Sequence, residues 1–280
     1  MSKFSAAASM IVAASCVVSV LTAPAFAAVF AASGVDPAAI QGSVDGFRAA
    51  LGGANNGVGG SFAGGRREIN WDGVPNAFAA PNSLPANFFN SNSPRGVVFS
   101  TPGTGFQVSA NLASGTAVRF GNLNAAYTAD TQTFSAERLF TAIDSNTVQI
   151  DFFIPGTNTP ATVAGFGAVF TDVELASITK YTVFMGDGSP GGQFAVPAAA
   201  TTGGLSFLGL TDPLRYSRII IESGNTAPGI SEGPASNFDV VFMDDFIYGE
   251  PQAVPEPGTV ILLGTGLALM LARHVRRRHR

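Results

Sequence analysis

Ten short apolar segments separated by turns constrain the fold of this chain more than any other feature of its sequence. They are rich in Val, Ile, Phe and Thr, and clusters of Gly, Pro, Asn and Asp lie between them. The segments are residues 97–100, 106–110, 117–120, 138–143, 147–153, 163–171, 178–184, 204–210, 216–222 and 238–248. Many short strands with turn residues between them are typical of antiparallel sandwiches. We therefore expect an all-β protein, an antiparallel jelly-roll-like β-sandwich in a single domain.

One short N-terminal helix is predicted before these strands. Asp36 is a suitable N-cap, Pro37 suits the first turn, and Gly52-Gly53 ends the helix. The apolar residues of one helix face are Ile40, Val44, Phe47 and Leu51. The glycine-rich stretch 52–65 is predicted to be a flexible loop, and it lacks the sequence context of a phosphate-binding loop.

Cysteine and histidine occur only near the two ends of the chain, as Cys16, His274 and His279. The long interval between them therefore has no cysteine nucleophile, no histidine base and no thiolate or imidazole metal ligand. We expect that the body is not an enzyme and that it requires no cofactor.

Residues 1–27 have the pattern of a secretory signal peptide. Lys3 supplies a positive charge, an apolar run covers 10–21, and Ala25 and Ala27 are the small residues that signal peptidase reads. A transmembrane anchor is the alternative, but this run is short for a hydrocarbon core of about 30 Å. A lipoprotein at Cys16 would lack the usual large apolar residue three positions upstream. We therefore expect an exported protein.

The other end of the chain combines a helix breaker, an apolar segment and a basic terminus. Pro255 and Pro257 flank Glu256 and cannot continue a helix, and residues 258–272 carry no charge. A helix of that length extends about 22 Å, and flanking arginines can snorkel to complete a membrane span. The basic residues are Arg273, Arg276, Arg277, Arg278 and Arg280. The positive-inside rule places this tail in the cytoplasm and the body outside.

This tail resembles the PEP-CTERM sorting signal of Gram-negative bacteria. Pro255, Glu256 and Pro257 match its tripeptide, and the terminal arginines match its basic end. The resemblance implies that an exosortase-type membrane protease removes the tail during export. The expected destination is the cell envelope, its outer surface or the extracellular space, reached through an inner-membrane intermediate. An ordinary membrane anchor that is never cut is the alternative.

Setting the two ends aside changes the charge of the chain. Residues 28–254 carry nine basic and eighteen acidic residues, a formal charge of −9, whereas the whole chain has −4. An acidic body does not suit general binding of nucleic acid. The expected organisation is a signal peptide at 1–27, a helix and glycine-rich loop at 28–65, a β-sandwich at 66–250 and a sorting tail at 251–280.

Carboxylates are the remaining candidates for chemistry in the body. Asp172, Glu174, Asp244 and Asp245 are candidate calcium ligands, because Ca²⁺ binds six to eight oxygens. Solvated charges at strand edges are the alternative, and no EF-hand loop is present. Strand alternation predicts that one aspartate of the adjacent pair meets solvent while the other turns inward. Segments 164–174 and 240–248 also resemble strands of exported bacterial jelly-roll domains, some of which bind sugars.

Two hypotheses for the body follow. The first is a non-catalytic structural or carbohydrate-associated module that contacts an extracellular polysaccharide. The second is a secreted carboxylate-dependent glycan hydrolase, which needs two carboxyl groups and no histidine. Trp71 suits sugar stacking or, more simply, packing of the first strand against the core. Residues 186–188 suit a binding-loop tip or, more simply, a turn.

Overall fold

The computed structural model describes residues 27–199, 201–230 and 237–254. β-Strands are the dominant regular structure, as the sequence predicts. The strands are β1 Ala28–Gly34, β2 Arg66–Ile69, β3 Val97–Ser100, β4 Gly105–Val108, β5 Phe140–Ile143, β6 Thr147–Phe152, β7 Ala161–Thr171, β8 Lys180–Met185, β9 Pro190–Ala195, β10 Leu205–Glu222, β11 Phe242–Gly249 and β12 Gln252–Ala253. The helices are α1 Pro37–Leu51, α2 Phe88–Ser91 and α3 Tyr127–Asp130, with 3₁₀ turns at Asn76–Phe78 and Leu112–Ser114.

Helix α1 confirms the predicted N-terminal helix. The Asp36 side chain accepts a hydrogen bond from the Ala39 N–H at 3.0 Å, and Gly52 ends the helix with φ of 71°. Phe47 packs so closely on the sheet that a Cβ at Gly209 would lie 2.7 Å from its ring. Glycine there lets the helix cover one sheet face, where it buries Ile40, Val44 and Phe47.

The strands pair antiparallel in one continuous sheet with the order β3-β6-β10-β7-β11-β5-β4. β1 and the β8–β9 hairpin join β10, β2 joins β11, and β12 joins β7. The long strand β10 connects the two halves of this sheet. Its first part pairs with β1 and β7, and its second part pairs with β6 and β8.

Ring contacts show that the sheet folds back on itself. β3 and β4 stand at opposite ends of the strand order and would lie roughly 29 Å apart in a flat sheet. The ring of Phe99 on β3 nevertheless lies 5.7 Å from that of Phe106 on β4 and 5.1 Å from that of Phe140 on β5. The main core therefore lies between two facing parts of the same curved sheet.

Trp71 lies in this aromatic core. Its indole stacks on Phe140 at 4.1 Å and is 1% exposed. The Trp71 Nε1–H donates to the Asp244 carbonyl at 2.8 Å. The core-packing interpretation of Trp71 is confirmed, and a buried indole is not free to stack on a sugar.

Several strand predictions need correction. Segments 204–210 and 216–222 form the single strand β10, because Pro213 is exposed at the place where the strand changes partners. Segment 117–120 is not a strand: Arg119 and Phe120 have φ of 48° and 60°, which end the extended backbone. β9 lies partly in the predicted break 186–192, whose first residues form the turn of the β8–β9 hairpin.

Candidate functional site

The five residues that lead into the tail, 250–254, are held firmly against the body, and we call them the tail root. Gln252 and Ala253 form β12, which pairs with Thr162 and Ala161 on β7. The Val254 N–H donates to the Pro160 carbonyl at 3.3 Å. The body therefore extends in ordered pairing up to the residue before the predicted sorting tripeptide.

A buried ion pair fixes the start of the tail root. The Nε and Nη2 atoms of Arg67 each lie 2.7 Å from a carboxylate oxygen of Glu250, and both side chains are at most 1% exposed. The remaining guanidinium N–H groups of Arg67 donate to the carbonyls of Gly57, Gly60 and Pro94. A buried bidentate pair of this kind is tolerated because every donor has a partner.

The glycine-rich stretch 52–65 wraps around this ion pair. Besides the carbonyls that Arg67 uses, it supplies the Asn56 side chain and the Phe62 N–H, which both donate to Glu250. The Phe62 carbonyl accepts from Gln252 Nε2 at 2.6 Å. The stretch is a loop, as the sequence predicts, and these hydrogen bonds tie it to a buried charge; its flexibility stays a prediction.

A groove of 440 Å³ opens beside Val254. Its lining includes Phe184 and the pair of Arg218 and Asp151, whose Nε and Oδ1 atoms lie 2.7 Å apart. The Arg218 guanidinium lies 5.8 Å from the centre of the Phe184 ring. The groove thus combines an aromatic ring with exposed polar groups at the edge of the tail root.

The four candidate calcium ligands form two separate pairs. Asp172 Oδ1 accepts from the Gly203 N–H at 2.7 Å, and Glu174 Oε1 accepts from the Thr202 hydroxyl at 2.6 Å. These two acids therefore stabilise the turn before β10. Within the described part of the chain, no three Asp, Glu, His or Cys side chains gather into a potential metal site. Calcium binding stays a prediction, which no preformed cluster of ligands in the described residues supports.

Asp244 and Asp245 lie in a β-bulge of β11. Met243 pairs with Phe170 and Phe246 with Ala168, so β11 has one more residue than β7 over this step. The bulge interrupts strand alternation, and both aspartates are at most 3% exposed. The prediction that one of them meets solvent is therefore wrong.

Both carboxyl groups of the bulge face the segment before β5. Asp244 Oδ2 accepts from the Phe134 N–H at 2.6 Å, and Asp245 Oδ1 accepts from the Ser135 hydroxyl at 2.6 Å. Arg48 Nη2 lies 3.6 Å from Asp245 Oδ2 and is also paired with Glu68 at 2.8 Å. Arg48 Nη1 also lies 3.3 Å from Asp45, so this cation is shared among three acids.

Burial raises the pKa of Asp244 well above its usual range, and the adjacent Asp245 carboxyl raises it further. Burial also raises the pKa of Asp245, although the hydrogen bond from Ser135 opposes that shift. Two adjacent buried carboxyl groups ionise together only at high cost, and Arg48 favours the charge on Asp245. We therefore expect Asp244 to retain a proton at pH values where ordinary carboxyl groups have lost theirs.

The other predicted positions divide between described and undescribed parts of the chain. Residues 186–188 form a turn, in which the Gly188 N–H donates to the Met185 carbonyl at 2.8 Å. Ala27 is exposed and stands directly before β1, so cleavage there would leave the first strand intact. The predicted sites at Ala25, Pro255, Glu256, Pro257 and the terminal arginines lie outside the described residues, as do the apolar segment 258–272 and most of the signal peptide.

Sequence reasoning missed the pairing of Arg67 with Glu250, because 183 positions separate the two residues. One available signal was the position of Arg67 two residues before Ile69. In a strand this spacing places both side chains on the same face, so Arg67 lies on the buried face of β2.

None of the helices in the described ranges is long and apolar enough to cross a membrane.

Comparison with protein families gives one match, to the PEP-CTERM protein-sorting motif, over residues 253–278. No curated protein and no solved structure is significantly similar to the chain. The match begins within β12 and covers the tripeptide, the apolar segment and four of the five terminal arginines. The chain therefore carries a PEP-CTERM sorting motif at the end of its β-rich body, as an exported substrate of exosortase does.

Proposed function

We propose that this protein is delivered to the cell surface or the extracellular matrix through its PEP-CTERM motif, and that its body is a non-catalytic structural or carbohydrate-associated module. The observation that carries the delivery part of the proposal is the motif match at 253–278, which begins within β12, the last described strand. Signal peptidase and an exosortase-type protease are the processing partners in this scheme.

The arrangement of the tail root supports processing at this position. β12 and the Val254 hydrogen bond hold the chain at the surface of the body, and the tripeptide follows at once. A protease that reads Pro255 to Pro257 therefore has no need to unfold the sheet. The two prolines of the tripeptide also favour an extended backbone by their own chemistry, and such a backbone suits a protease active site.

The buried state of the acidic pair favours a non-catalytic body over the hydrolase alternative. Glycoside hydrolases place two carboxyl groups on either side of an accessible sugar, about 5 Å or more apart. Asp244 and Asp245 instead adjoin each other, are at most 3% exposed and bind the protein's own backbone and Ser135. The curved antiparallel sheet is compatible with the jelly-roll-like sandwich that we propose for the body.

The groove beside Val254 supports the carbohydrate-associated form of the proposal. Sugar faces pack on aromatic rings while their hydroxyl groups bind polar side chains, and the groove offers Phe184 next to Arg218 and Asp151. Polysaccharide from the native host, immobilised on beads, provides the test, with and without calcium.

We expect the exported protein to be retained on these beads and the double variant Phe184→Ala, Arg218→Ala to elute earlier. Leu112→Ala, which removes an exposed side chain outside the groove, is the matched control. Equal elution of all three proteins with the unbound fraction would contradict the carbohydrate-associated form and leave a purely structural module.

Sorting is tested separately in the native host. Replacing Pro255 and Pro257 by alanine should leave the protein in the inner membrane with its tail attached, whereas Gln252→Ala, just upstream, should still be processed. Normal release of the double alanine variant would contradict reading of the tripeptide. A wild-type protein that stays membrane-bound at full length would instead favour the uncut anchor.

A further inference from the structure

The surface around the tail root is built from three segments without a charged residue, although the body as a whole is strongly acidic. The half-exposed pair of Arg218 and Asp151 borders this surface in the groove beside Val254. We define this root face as the loop 52–65, the turn 153–160 and residues 251–254. None of these ranges contains Asp, Glu, Lys or Arg, while residues 28–254 carry a formal charge of −9. Glu250, the nearest acid in sequence, is buried and paired with Arg67 beneath the face.

Hydrogen bonds join the three parts of the root face into one surface. Gln252 Nε2 donates to the Phe62 carbonyl, which connects the tail root to the loop. The Val254 N–H donates to the Pro160 carbonyl, which connects it to the turn. A Cβ on Gly156 would lie 3.7 Å from Pro94, whose carbonyl accepts from the Gly59 N–H at 2.7 Å. The loop and the turn are therefore neighbours as well.

Large apolar side chains project from this uncharged surface. Val58, Phe62 and Val254 are 56%, 45% and 39% exposed. Leu214, 71% exposed, adjoins the face, because the next residue Arg215 donates to the Glu250 carbonyl at 3.1 Å. The backbone of Phe62 is bound to the body through both its N–H and its carbonyl. A firmly held loop thus presents an aromatic ring to the exterior.

The sequence leaves little distance between this face and the apolar tail segment. Three residues, 255–257, separate Val254 from the uncharged stretch that begins at Gly258. Fully extended, they span roughly 11 Å. A headgroup layer is about 5–8 Å thick on each side of the hydrocarbon core. When the tail is inserted, the root face therefore lies at or near the headgroups.

We infer that the root face rests on the interface of the lipid bilayer while the tail is in the membrane. This inference depends on the proposed function, because it requires the membrane-inserted sorting intermediate. Exposed aromatic and aliphatic side chains suit the interfacial region. The Arg67 guanidinium lies 5.7 Å from the centre of the Phe62 ring, but it is buried and neutralised by Glu250. The absence of acidic residues from the three ranges, and the pairing of the bordering Asp151 with Arg218, also limit repulsion by anionic headgroups, which the rest of the body would experience.

The experiment uses the full exported chain with its tail, reconstituted in vesicles of phosphatidylethanolamine and phosphatidylglycerol. Cys16 is the only cysteine and precedes residue 28, so single cysteines can be introduced for a polarity-sensitive fluorophore. Phe62→Cys and Val58→Cys place the label on the root face. Leu112→Cys is the matched control, because Leu112 is 81% exposed and lies away from the root face. It follows β4, which pairs with β5 beside the start of β11, whereas the root face lies beyond the end of β11.

We expect a blue shift of emission and quenching by lipid-attached nitroxide for the labels at 58 and 62, and neither effect for the label at 112. Flotation of the same vesicles reports insertion of the tail independently. A chain that floats while all three labels behave as in water would overturn the inference and leave the sorting proposal intact. A chain that does not float would overturn both the membrane intermediate and the contact derived from it.

Discussion

Two buried carboxyl sites lie near opposite ends of β11, and the protein accommodates them differently. Glu250 follows the strand and is bound by two nitrogens of Arg67. Asp244 and Asp245 lie near the start of the strand, and Arg48, which contacts Asp245, is shared with Glu68 and Asp45. Ion pairing thus fixes the part of β11 that leads into the tail, whereas we expect proton retention to neutralise the part that crosses the core.

The largest effect is expected from breaking the ion pair. Glu250→Gln leaves the Arg67 guanidinium buried without a negative partner, which should lower the free energy of unfolding by about 3–5 kcal/mol. Urea denaturation of the exported chain measures this loss. Glu222→Gln is the control, because Glu222 forms a half-exposed pair with Lys180 at 3.3 Å and should change stability by less than about 1 kcal/mol. Similar losses in the two variants would contradict the role of the buried pair.

The second prediction concerns the pH dependence that the acidic pair creates. Asp244 and Asp245 have raised pKa values, so the folded protein binds protons that the unfolded chain has released. Their contribution to stability is complete below the usual aspartate pKa of 3.8 and is lost as pH rises through the folded pKa values. One retained proton gives a slope of about −1.4 kcal/mol per pH unit in the free energy of unfolding.

Asp244→Asn should therefore make the free energy of unfolding fall less steeply with pH above about pH 4. Burial also raises the pKa of Asp72 and Asp239, so a smaller slope in the same direction should remain. Asp187→Asn, at an exposed turn residue, is the control and should leave the slope above this pH unchanged. Denaturation curves across the pH range measure the effect. An unaltered slope in Asp244→Asn would show that the pair does not retain a proton.

The smallest predicted effect tests the loop that encloses the ion pair. Gly65 has φ of 95°, and a Cβ there would lie 2.9 Å from the Ala54 carbonyl oxygen. Gly65→Ala should therefore cost about 1–3 kcal/mol of stability. The adjacent Gly64 has open space around its Cβ position, so Gly64→Ala should be nearly neutral. Equal melting temperatures for both variants would mean that the loop does not depend on this backbone conformation.

Local patterns predicted much of the fold. The cap at Asp36 and the apolar spacing up to Phe47 identify α1, and the segment 97–100 matches β3. The continuity of β10 was not predictable in this way, because a proline normally interrupts a strand. Pro213 is tolerated because it lies where β10 exchanges one set of partner strands for another. β9 was missed because its glycines resemble the turn that precedes it.

The candidate sites depended more strongly on tertiary structure. The tail motif is contiguous, so its residues could be identified from sequence alone. The pairing of Arg67 with Glu250 joins β2 to the residue after β11, which is distant in sequence. The alternation in β2 indicates that Arg67 is buried, but it does not identify the partner. The burial of both Asp244 and Asp245 depends on a β-bulge, in which β11 has one more residue than β7 between paired positions. The composition of β11 does not reveal this bulge.

The most direct test of the central claim is the intact mass of the protein recovered from the cell surface or medium of its native host. The account predicts a chain that lacks the signal peptide and also lacks the apolar segment and arginine cluster after the tripeptide. An exported protein whose mass includes every residue through Arg280 would contradict it.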